Sequence, residues 1–355
     1  MSKHRYNYNW NLKDTIFTKN KGKVFSCFAC GGGSTMGYKL AGFDVIGCNE
    51  IDPKMMEVYK VNHNPKYTFL DGIQNFKDRN DLPEDLYNLD ILDGSPPCSS
   101  FSMMGNREKD WGKKKKFSEG KILQILDTLF FDFIDLGKKL QPKIIIAENV
   151  PGLILRNAKK YAIKILKEFD KAGYIVQYFV LNAANMGVPQ ERKRIFFIAL
   201  RKDLSTKFLI QQDLFTQVPK INLKFNEAKI PIKDFDSGKP GNNLGYIEKY
   251  WKNTPPGVSV YNYLRITKQK PKLFSYSKAN FNKPFRTILT KHNVGEFRED
   301  IPTYFHNEDL IKGGSFPCDY NFLDLKHKYL IGMSVPPVMM ANIATEIYNQ
   351  WLKHI

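Results

Sequence analysis

Between residues 24 and 200, short runs of β-branched and aromatic residues alternate with segments whose apolar residues have helical spacing. The first pattern is typical of buried strands, and the second predicts amphipathic helices. The predicted strands are 24–28, 44–49, 67–70, 89–93, 143–147, 174–181 and 194–200. The predicted helices are 36–41, 53–62, 122–140 and 158–172. Such alternation predicts an α/β fold with a doubly wound, mostly parallel sheet covered on both faces.

The pattern changes near Lys202. From there to residue 281 the chain is rich in Lys, Asn, Gln, Pro and Tyr, and its apolar spacing is irregular. An amphipathic helix returns at 338–351, and we expect it to pack on the first domain. The sequence therefore predicts a larger domain of residues 1–201 and 326–355 and a smaller, loop-rich domain of residues 202–325.

The charge balance favours a polyanionic partner. The chain has 54 Lys and Arg against 36 Asp and Glu, a formal net charge of +18. For a chain without a membrane segment, nucleic acid is the partner that such a surplus favours, although general solubility also explains it.

The five cysteines do not form a disulfide pattern, because their number is odd and their spacing irregular. Cys27 and Cys30 form a C-x-x-C, but the second pair of ligands that zinc requires is missing, so no metal is expected. The first ten residues are polar and aromatic, and three aspartates interrupt the most apolar stretch, 122–136. We therefore expect a cytoplasmic protein with no membrane span.

A glycine-rich segment, residues 28–37, connects the first predicted strand to the first helix. Glycines there let a ligand approach the backbone at a helix N-terminus. The G-x-G-x-x-G dinucleotide pattern does not fit, because its third glycine would fall on Met36. Glu50 ends the next strand, where an acidic residue can bind ribose hydroxyls. These features indicate an adenosine-type ligand rather than a nicotinamide dinucleotide.

Pro96-Pro97-Cys98 follows a predicted strand that closes with a carboxylate, Asp93. Ligands of open α/β sheets bind in the crevice beyond the carboxyl ends of the strands. The two prolines restrict the backbone, so they would hold Cys98 in a stiff turn. Cys98 is therefore a candidate nucleophile, although a small buried hydrophobic role fits the tripeptide equally well.

Polar residues also follow two later strands. Glu148 ends an Ile-rich strand, so we expect its carboxylate in the same crevice as Cys98, unless it is a structural hydrogen-bonding group. Period-two alternation places Gln190, Arg192 and Arg194 on one face of a strand, although solvated basic residues also explain this run.

The motifs occur in an order that resembles one family, the cytosine-5 DNA methyltransferases. The series is the glycine turn, Glu50-Ile51-Asp52, Asp71, Pro96-Pro97-Cys98, Glu148-Asn149-Val150, Gln190-x-Arg192-x-Arg194, Arg286-Thr287-Ile288-Leu289-Thr290 and Gly332-Met333-Ser334-Val335-Pro336-Pro337. The resemblance covers residues 24–200 and 284–355, and it does not extend over the middle module. It implies a Rossmann-like, S-adenosylmethionine-dependent methyltransferase domain with a smaller target-recognition domain.

The resemblance also implies roles for individual residues. Cys98 would add to carbon 6 of cytosine, Glu148 would bind ring nitrogen 3 and the exocyclic amine, and Arg194 would contact the carbonyl oxygen. Arg192 would steady the thiol or a phosphate nearby. Contacts to S-adenosyl-L-methionine are implied for Phe28, Gly31, Gly33, Glu50, Ile51, Asp71, Pro97, Leu129 and Ser334. Within these motifs, Cys30 replaces a family glycine and Met333 replaces a family asparagine.

A DNA substrate requires that the target base leave the duplex. The loop 102–116, with Arg107 and a lysine run, is placed to close over such a base, although a solvated helix start explains the lysines equally well. The resemblance assigns base or DNA contacts to Arg107, Asn149 and Gln190. Double-stranded DNA is the expected partner of a monomer, and a cognate restriction endonuclease is a further candidate partner.

The sequence leaves two alternative functions open. One branch of the family methylates transfer RNA with the same Cys and Glu, although the large middle module favours duplex DNA. The other alternative is a catalytically silent DNA-binding protein on this scaffold, and the presence of Cys98, Glu148 and Arg194 argues against it.

Overall fold

The computed structural model describes residues 4–97, 114–116, 123–125, 128–155, 158–213, 216–269, 273, 275–291 and 293–355. The chain divides into two compact units. The larger unit contains residues 17–181, 193–224 and 343–355, and the smaller unit contains residues 1–16, 182–192 and 225–342.

The strands of the described residues are numbered in chain order. They are β1 (Lys23–Cys27), β2 (Asp44–Glu50), β3 (Tyr67–Leu70), β4 (Ile91–Gly94), β5 (Lys114–Lys116), β6 (Leu123–Ile125), β7 (Ile144–Asn149), β8 (Tyr174–Asn182), β9 (Gln190–Glu191), β10 (Lys193–Arg201), β11 (Leu209–Gln211), β12 (Gln217–Pro219), β13 (Pro240–Asn243), β14 (Tyr276–Lys278), β15 (Phe285–Arg286), β16 (Gly295–Phe297) and β17 (Thr303–Phe305).

The α-helices of the described residues follow in the same order. They are α1 (Gly33–Leu40), α2 (Pro53–His63), α3 (Ile73–Asp78), α4 (Leu129–Leu140), α5 (Lys159–Lys171), α6 (Lys202–Ser205), α7 (Glu248–Trp251), α8 (Val260–Ile266), α9 (Asn307–Gly313), α10 (His327–Met333) and α11 (Pro337–Gln350).

The larger unit is built on a seven-stranded sheet in the order β3-β2-β1-β4-β7-β10-β8. The pairs β1–β2, β1–β4, β2–β3 and β4–β7 are parallel. This confirms the predicted α/β fold with a mostly parallel sheet. Strand β10 departs from this direction, because it runs antiparallel to β7 and places Phe196 opposite Glu148.

Alternation along these strands divides the core between the two faces of the sheet. One face carries Phe25, Leu92 and Ile145, all fully buried, in one cluster with side chains of α4 and α5. Because successive residues of a strand point to opposite faces, the residues between them face the other side. The β4 residues that alternate in this way are Ile91 and Asp93, so one polar side chain is buried on the second face.

Most predicted elements agree with these bounds to within a few residues, but the helix predicted at 122–140 is wrong in its first part. Residues 123–125 form β6, which pairs antiparallel with β5, and the helix begins only at Leu129. The apolar spacing continues across this boundary, and spacing alone does not separate a short apolar strand from a helix. The lysines at 114–116 lie in β5, so the alternative of a helix start there is also wrong.

The smaller unit contains a four-stranded sheet in the order β13-β17-β16-β14. Its apolar core consists of Leu244, Ile247, Val260, Leu264, Phe297 and Tyr304. Short strand β9 pairs in parallel with β15, which joins residues 190–191 to this unit.

The compact units differ from the predicted domains at their boundaries. Residues 202–224 belong to the larger unit, where Nε1 of Trp351 donates to the Lys220 carbonyl at 2.8 Å. Residues 182–192 and 326–342 belong to the smaller unit, where Nη2 of Arg192 donates to the Gly332 carbonyl at 2.9 Å. The assignment of residues 202–325 to target recognition stays a prediction.

Among the described residues, one stretch, His327–His354, is long and apolar enough to cross a membrane. Of its apolar window, 89% is buried inside the protein, which is typical of a core helix.

An ion-pair network fixes the smaller unit around Arg298, whose side chain is fully buried. Its guanidinium binds Asp236 at 2.5 Å and Asp300 at 2.8 Å, and it lies over the rings of Phe281 and Phe305 at 5.3 and 5.5 Å. Replacing one partner of a buried pair leaves an uncompensated charge.

Arg298→Met should therefore lower the free energy of unfolding by about 3–5 kcal/mol. Urea unfolding measures the change, and Lys239→Gln, which breaks an exposed pair with Glu308, is the control. The control should lose no more than about 1 kcal/mol. Equal stabilities of the two variants would contradict the structural role of Arg298.

Candidate active site

The glycine turn follows β1 and leads into α1. Phe28 and Cys30 both have φ of 51°, and Gly32 has φ of 86°, so all three lie in the left-handed region. Glycine adopts this region without strain. Cys30, which replaces a family glycine, keeps the backbone conformation that glycine favours.

His63 packs against this turn, and no sequence pattern indicated it. The side chain is buried, and its ring lies 4.4 Å from the ring of Tyr59. A Cβ placed on Gly32 would collide with Nε2 of His63. Burial lowers the pKa of His63 well below its ordinary value, so a neutral imidazole supports the turn.

The Glu50 carboxylate is held by backbone at the end of β2. Oε2 accepts from the N–H of Cys30 at 2.7 Å, and Oε1 accepts from Ile51 at 2.8 Å and Asp52 at 2.9 Å. Burial raises the pKa of Glu50, and these hydrogen bonds oppose the rise. Because a carboxylate has about four acceptor sites, Glu50 keeps capacity for a ligand hydroxyl.

Two further predicted residues lie beside these. Ile51 follows Glu50 directly and is partly exposed, and Asp71 follows β3, where its N–H donates to the Glu50 carbonyl at 3.1 Å. Oδ1 of Asp71 accepts from the N–H of Gly72 at 2.8 Å. The turn, Glu50 and Asp71 thus share the edge where parallel strands β1, β2 and β3 end, and this arrangement fits a nucleoside.

The next strand end leads toward the predicted nucleophile. Gly94 ends β4, Pro96 is buried and Pro97 is partly exposed. The amide Nδ2 of Asn149 donates to the Pro96 carbonyl at 3.1 Å. Cys98 and Arg107 lie outside the described residues.

Glu148 and Arg194 form a pair on adjacent strands β7 and β10. Nε of Arg194 lies 2.8 Å from Oε1 of Glu148, and both side chains are 14% exposed. Burial lowers the pKa of Arg194, and the negative charge of Glu148 opposes that change. The ion pair engages Oε1 of the Glu148 carboxyl group.

The remaining predicted residues are buried. Leu129 is fully buried in the core of the larger unit. In the smaller unit, the Ser334 hydroxyl donates to the Leu330 carbonyl at 2.8 Å, and Nε2 of Gln190 donates to the Gly313 carbonyl at 3.2 Å. Met333, the other departure from the family pattern, is 41% exposed.

The expectation for residues 190–194 was wrong in two respects. The run is not one strand, because β9 ends at Glu191 and β10 begins at Lys193. Gln190 and Arg192 are 1% and 2% exposed, so solvated basic residues do not explain them. Their side chains donate to the backbone carbonyls of Gly313 and Gly332, and period-two alternation cannot reveal such contacts.

No group of three or more His, Cys, Asp or Glu in the described part of the chain is placed to hold a metal ion.

Comparison with known families identifies the class. A sequence model of the family described as C-5 cytosine-specific DNA methylase matches residues 22–349. The match includes the glycine turn, Glu50, Glu148 and Ser334. The chain belongs to this family.

Curated relatives of this chain include Type II methyltransferases. It is 36% identical over 218 residues to M.NgoPII of Neisseria gonorrhoeae, an alignment that covers 61% of this chain and 57% of that protein. It is 27% identical over 345 residues to M.NgoFVII of the same organism, covering 93% and 87%. The chain therefore spans little more than half of the first relative's length.

A solved structure shares the fold of this chain. It is a prophage-encoded protein of E. coli described as a DNA modification methyltransferase, with a TM-score of 0.63 at 21% identity. The superposition covers 92% of this chain and 99% of that one.

Gly32→Ala should weaken binding of the expected cofactor at least about tenfold, because the new Cβ meets His63 and a left-handed residue other than glycine is strained. Calorimetric titration with S-adenosyl-L-homocysteine measures the affinity. Gly173→Ala is the matched control, since Gly173 also has positive φ, 95°, but a Cβ there meets nothing within 4 Å. Equal affinities in the two variants would contradict a role for the packed turn.

Proposed function

We propose that this protein transfers a methyl group from S-adenosyl-L-methionine to carbon 5 of a cytosine in a specific sequence of duplex DNA. The description of the matching family, a C-5 cytosine-specific DNA methylase, favours DNA over the RNA alternative. The net charge of +18 supports a nucleic-acid substrate.

One observation carries this proposal. The hydrogen bond from Asn149 to the Pro96 carbonyl ties the strand end that bears Glu148 to the segment that precedes Cys98. Arg194 in turn fixes the Glu148 carboxylate at 2.8 Å. The Glu148 carboxyl group and the Arg194 guanidinium are thus held next to the predicted Cys98 thiol. This set suits cytosine, whose ring offers an amine and a nitrogen to the carboxyl group and a carbonyl oxygen to the guanidinium.

The residues that would hold the cofactor are Phe28, Gly31, Gly33, Glu50, Ile51, Asp71, Pro97, Leu129 and Ser334. The residues at the ends of β1, β2 and β3 support this assignment best. The glycine turn lets a cofactor approach the backbone closely, and Glu50 can accept hydrogen bonds from ribose hydroxyls. When bound, the cofactor supplies the methyl group.

The chain's own residues would prepare the base. The Cys98 thiolate adds to carbon 6, and the electron pair of the 5,6 double bond is displaced toward carbon 5 and the ring. Glu148, protonated, donates to ring nitrogen 3 and stabilises the charge that develops, while Arg194 binds the carbonyl oxygen. After methylation, loss of the proton from carbon 5 restores the double bond and expels the thiolate.

The target cytosine would leave the duplex before this chemistry. We assign Arg107 and the loop 102–116 to closure over the base, Asn149 and Gln190 to base or DNA contacts, and residues 202–325 to sequence recognition. Because Arg192 binds the Gly332 carbonyl, we assign it to holding the segment before Ser334 in place rather than to the thiol. The proposal includes a cytoplasmic, DNA-associated monomer and a cognate restriction endonuclease.

Cys98→Ser should reduce methyl transfer to duplex DNA below detection, because a neutral hydroxyl is a poor nucleophile toward carbon 6. Incorporation of radiolabelled methyl groups into DNA and, separately, into total RNA measures the activity. Cys318→Ser, which changes an exposed thiol, is the matched control and should keep full activity.

Full activity of Cys98→Ser would overturn the mechanism. Labelling of RNA without DNA by the unchanged protein would overturn the choice of substrate.

Glu148→Gln should lower kcat by about 10²- to 10⁴-fold, because glutamine cannot give a proton to ring nitrogen 3. Single-turnover methyl transfer measures this rate, and cofactor affinity should stay unchanged. Glu168→Gln, at a carboxylate paired with Lys171 on α5, is the control. A drop in kcat of less than about twofold would contradict the assignment of Glu148.

A further inference from the structure

Asn49 is a buried amide to which the proposed function assigns no role. It is the sixth of the seven residues of β2 and is 2% exposed. Asparagine is uncommon in strands, and a buried amide is costly unless its hydrogen bonds are made. The partners of this side chain therefore decide what the residue does at the end of the strand.

The Asn49 amide binds the end of the neighbouring strand β3. Nδ2 donates to the Phe69 carbonyl at 3.2 Å and to the Asp71 carbonyl at 2.9 Å. Because both partners are acceptors, the amide nitrogen rather than the amide oxygen must face them. Phe69 lies opposite Asn49 in the parallel pair β2–β3, and Asp71 follows the last residue of β3. The side chain thus ties β2 to the segment that continues beyond β3.

Asp71 is held to β2 through both of its backbone polar groups. Its N–H donates to the Glu50 carbonyl at 3.1 Å, and its carbonyl accepts from Nδ2 of Asn49. The backbone of Asp71 is therefore fixed relative to Glu50, the residue that suits the ribose of a nucleoside.

Two further hydrogen bonds orient the Asp71 side chain. Oδ1 accepts from the N–H of Gly72 at 2.8 Å and from Nδ2 of Asn75 at 3.0 Å. A carboxylate has about four acceptor sites, so Asp71 keeps capacity for a ligand donor. The 6-amino group is the hydrogen-bond donor on an adenine ring, and it is therefore the ligand group that suits Asp71.

The backbone of Asn49 also contacts the glycine turn. Its carbonyl accepts from the N–H of Ala29 at 3.3 Å, and Asn49 lies opposite Cys27 in the pair β1–β2. One residue therefore joins the turn after β1, the end of β2 and the segment after β3. These are the three segments that best support the proposed cofactor site.

We propose that Asn49 is a positioning residue that makes the nucleoside site selective for the 6-amino group of adenine. It holds Asp71 in place relative to Glu50, so that a base whose ribose binds Glu50 meets the Asp71 carboxylate. Asn49 acts through Asp71 and does not touch the ligand itself. The inference rests on the proposed cofactor site and extends it to the basis of its selectivity.

Calorimetric titration with two ligands tests this role. One is S-adenosyl-L-homocysteine, and the other is its 6-deamino analogue, in which hydrogen replaces the amino group. The unchanged protein should bind the adenosyl compound at least about tenfold more tightly, because the analogue leaves Asp71 without its ligand donor. Asn49→Leu keeps a similar size but has no donor for the Asp71 carbonyl, so the preference should fall to less than about threefold.

Asn342→Leu is the matched control, in the smaller unit. Asn342 is also buried, and its Nδ2 also donates to two backbone carbonyls, those of Met186 at 3.1 Å and Val338 at 3.2 Å. The control should lose stability as Asn49→Leu does but keep the preference of the unchanged protein. An equal loss of preference in the two variants would indicate a merely structural role for Asn49 and overturn the proposal.

Asn49→Ser provides a second route if Asn49→Leu fails to fold. A serine side chain is too short to reach both carbonyls, and the space that it leaves can admit a water molecule to bind them. The preference for the adenosyl compound should again fall, by at least about threefold. A folded Asn49→Ser protein with the preference of the unchanged protein would overturn the proposal.

A double-mutant cycle tests whether Asn49 acts through Asp71. Asp71→Ala alone should remove the preference, and adding Asn49→Leu should then change it no further, because the two residues work as one unit. A preference that survives in Asp71→Ala and is removed by Asn49→Leu would overturn the proposal.

The same titrations separate this inference from the proposed function. An unchanged protein that binds both ligands equally would overturn the place of Asp71 in the cofactor site, and the inference with it. A preference that Asn49→Leu retains would overturn the role of Asn49 alone. A preference that depends on Asn49, in a protein that transfers no methyl group to DNA, would support the inference and overturn the proposed reaction.

Discussion

The parallel pairing of β1, β2, β4 and β7 is the constraint on which the candidate site depends. Parallel strands bring their carboxyl ends to one edge of a sheet, so residues far apart in sequence become neighbours without any long-range motif. The register places Cys27 beside both Asn49 and Gly94. This arrangement brings four strand ends together. They carry the glycine turn, Glu50, the Pro-Pro segment and Glu148.

Within that edge, charge is balanced among few groups. Glu50 is bound by backbone N–H groups, Glu148 by a guanidinium, and Asp93 by two hydroxyls. Three carboxyl groups of similar chemistry thus occupy three different environments. Burial raises the pKa of Glu50 and raises that of Asp93 to about 7, and the hydrogen bonds to each group oppose the rise.

Much of the fold could be predicted from the sequence, because each parallel strand is a short apolar run bounded by polar residues. The predicted bounds of β3 agree with the structure at both ends, and those of β2 and α5 differ by at most one residue at each end. The antiparallel direction of β10 could not be predicted, since an apolar run carries no information on strand direction. The strand at 123–125 was missed because helical spacing extends across it.

The site was predictable where a motif marks a strand end, as for Glu50 and Glu148. It was not predictable where the contact depends on packing between distant elements. His63 comes from α2 and meets the turn after β1, while Asp93 meets a hydroxyl of α1. The burial of Gln190 and Arg192 likewise depends on carbonyls more than a hundred residues away along the chain.

Because of His63, the stability of the glycine turn depends on acid but not on alkali. Its pKa is lowered by burial, so the folded form binds a proton less readily than the unfolded chain. The stability that His63 contributes is present above about pH 6.5. It is lost as the pH falls below this value, because protonation of the imidazole then favours the unfolded chain. Alkali leaves the imidazole neutral and the turn intact, whereas acid stabilises the unfolded chain, in which His63 binds a proton more readily. The turn after β1 is therefore a part of this sheet edge whose contribution to stability falls with pH.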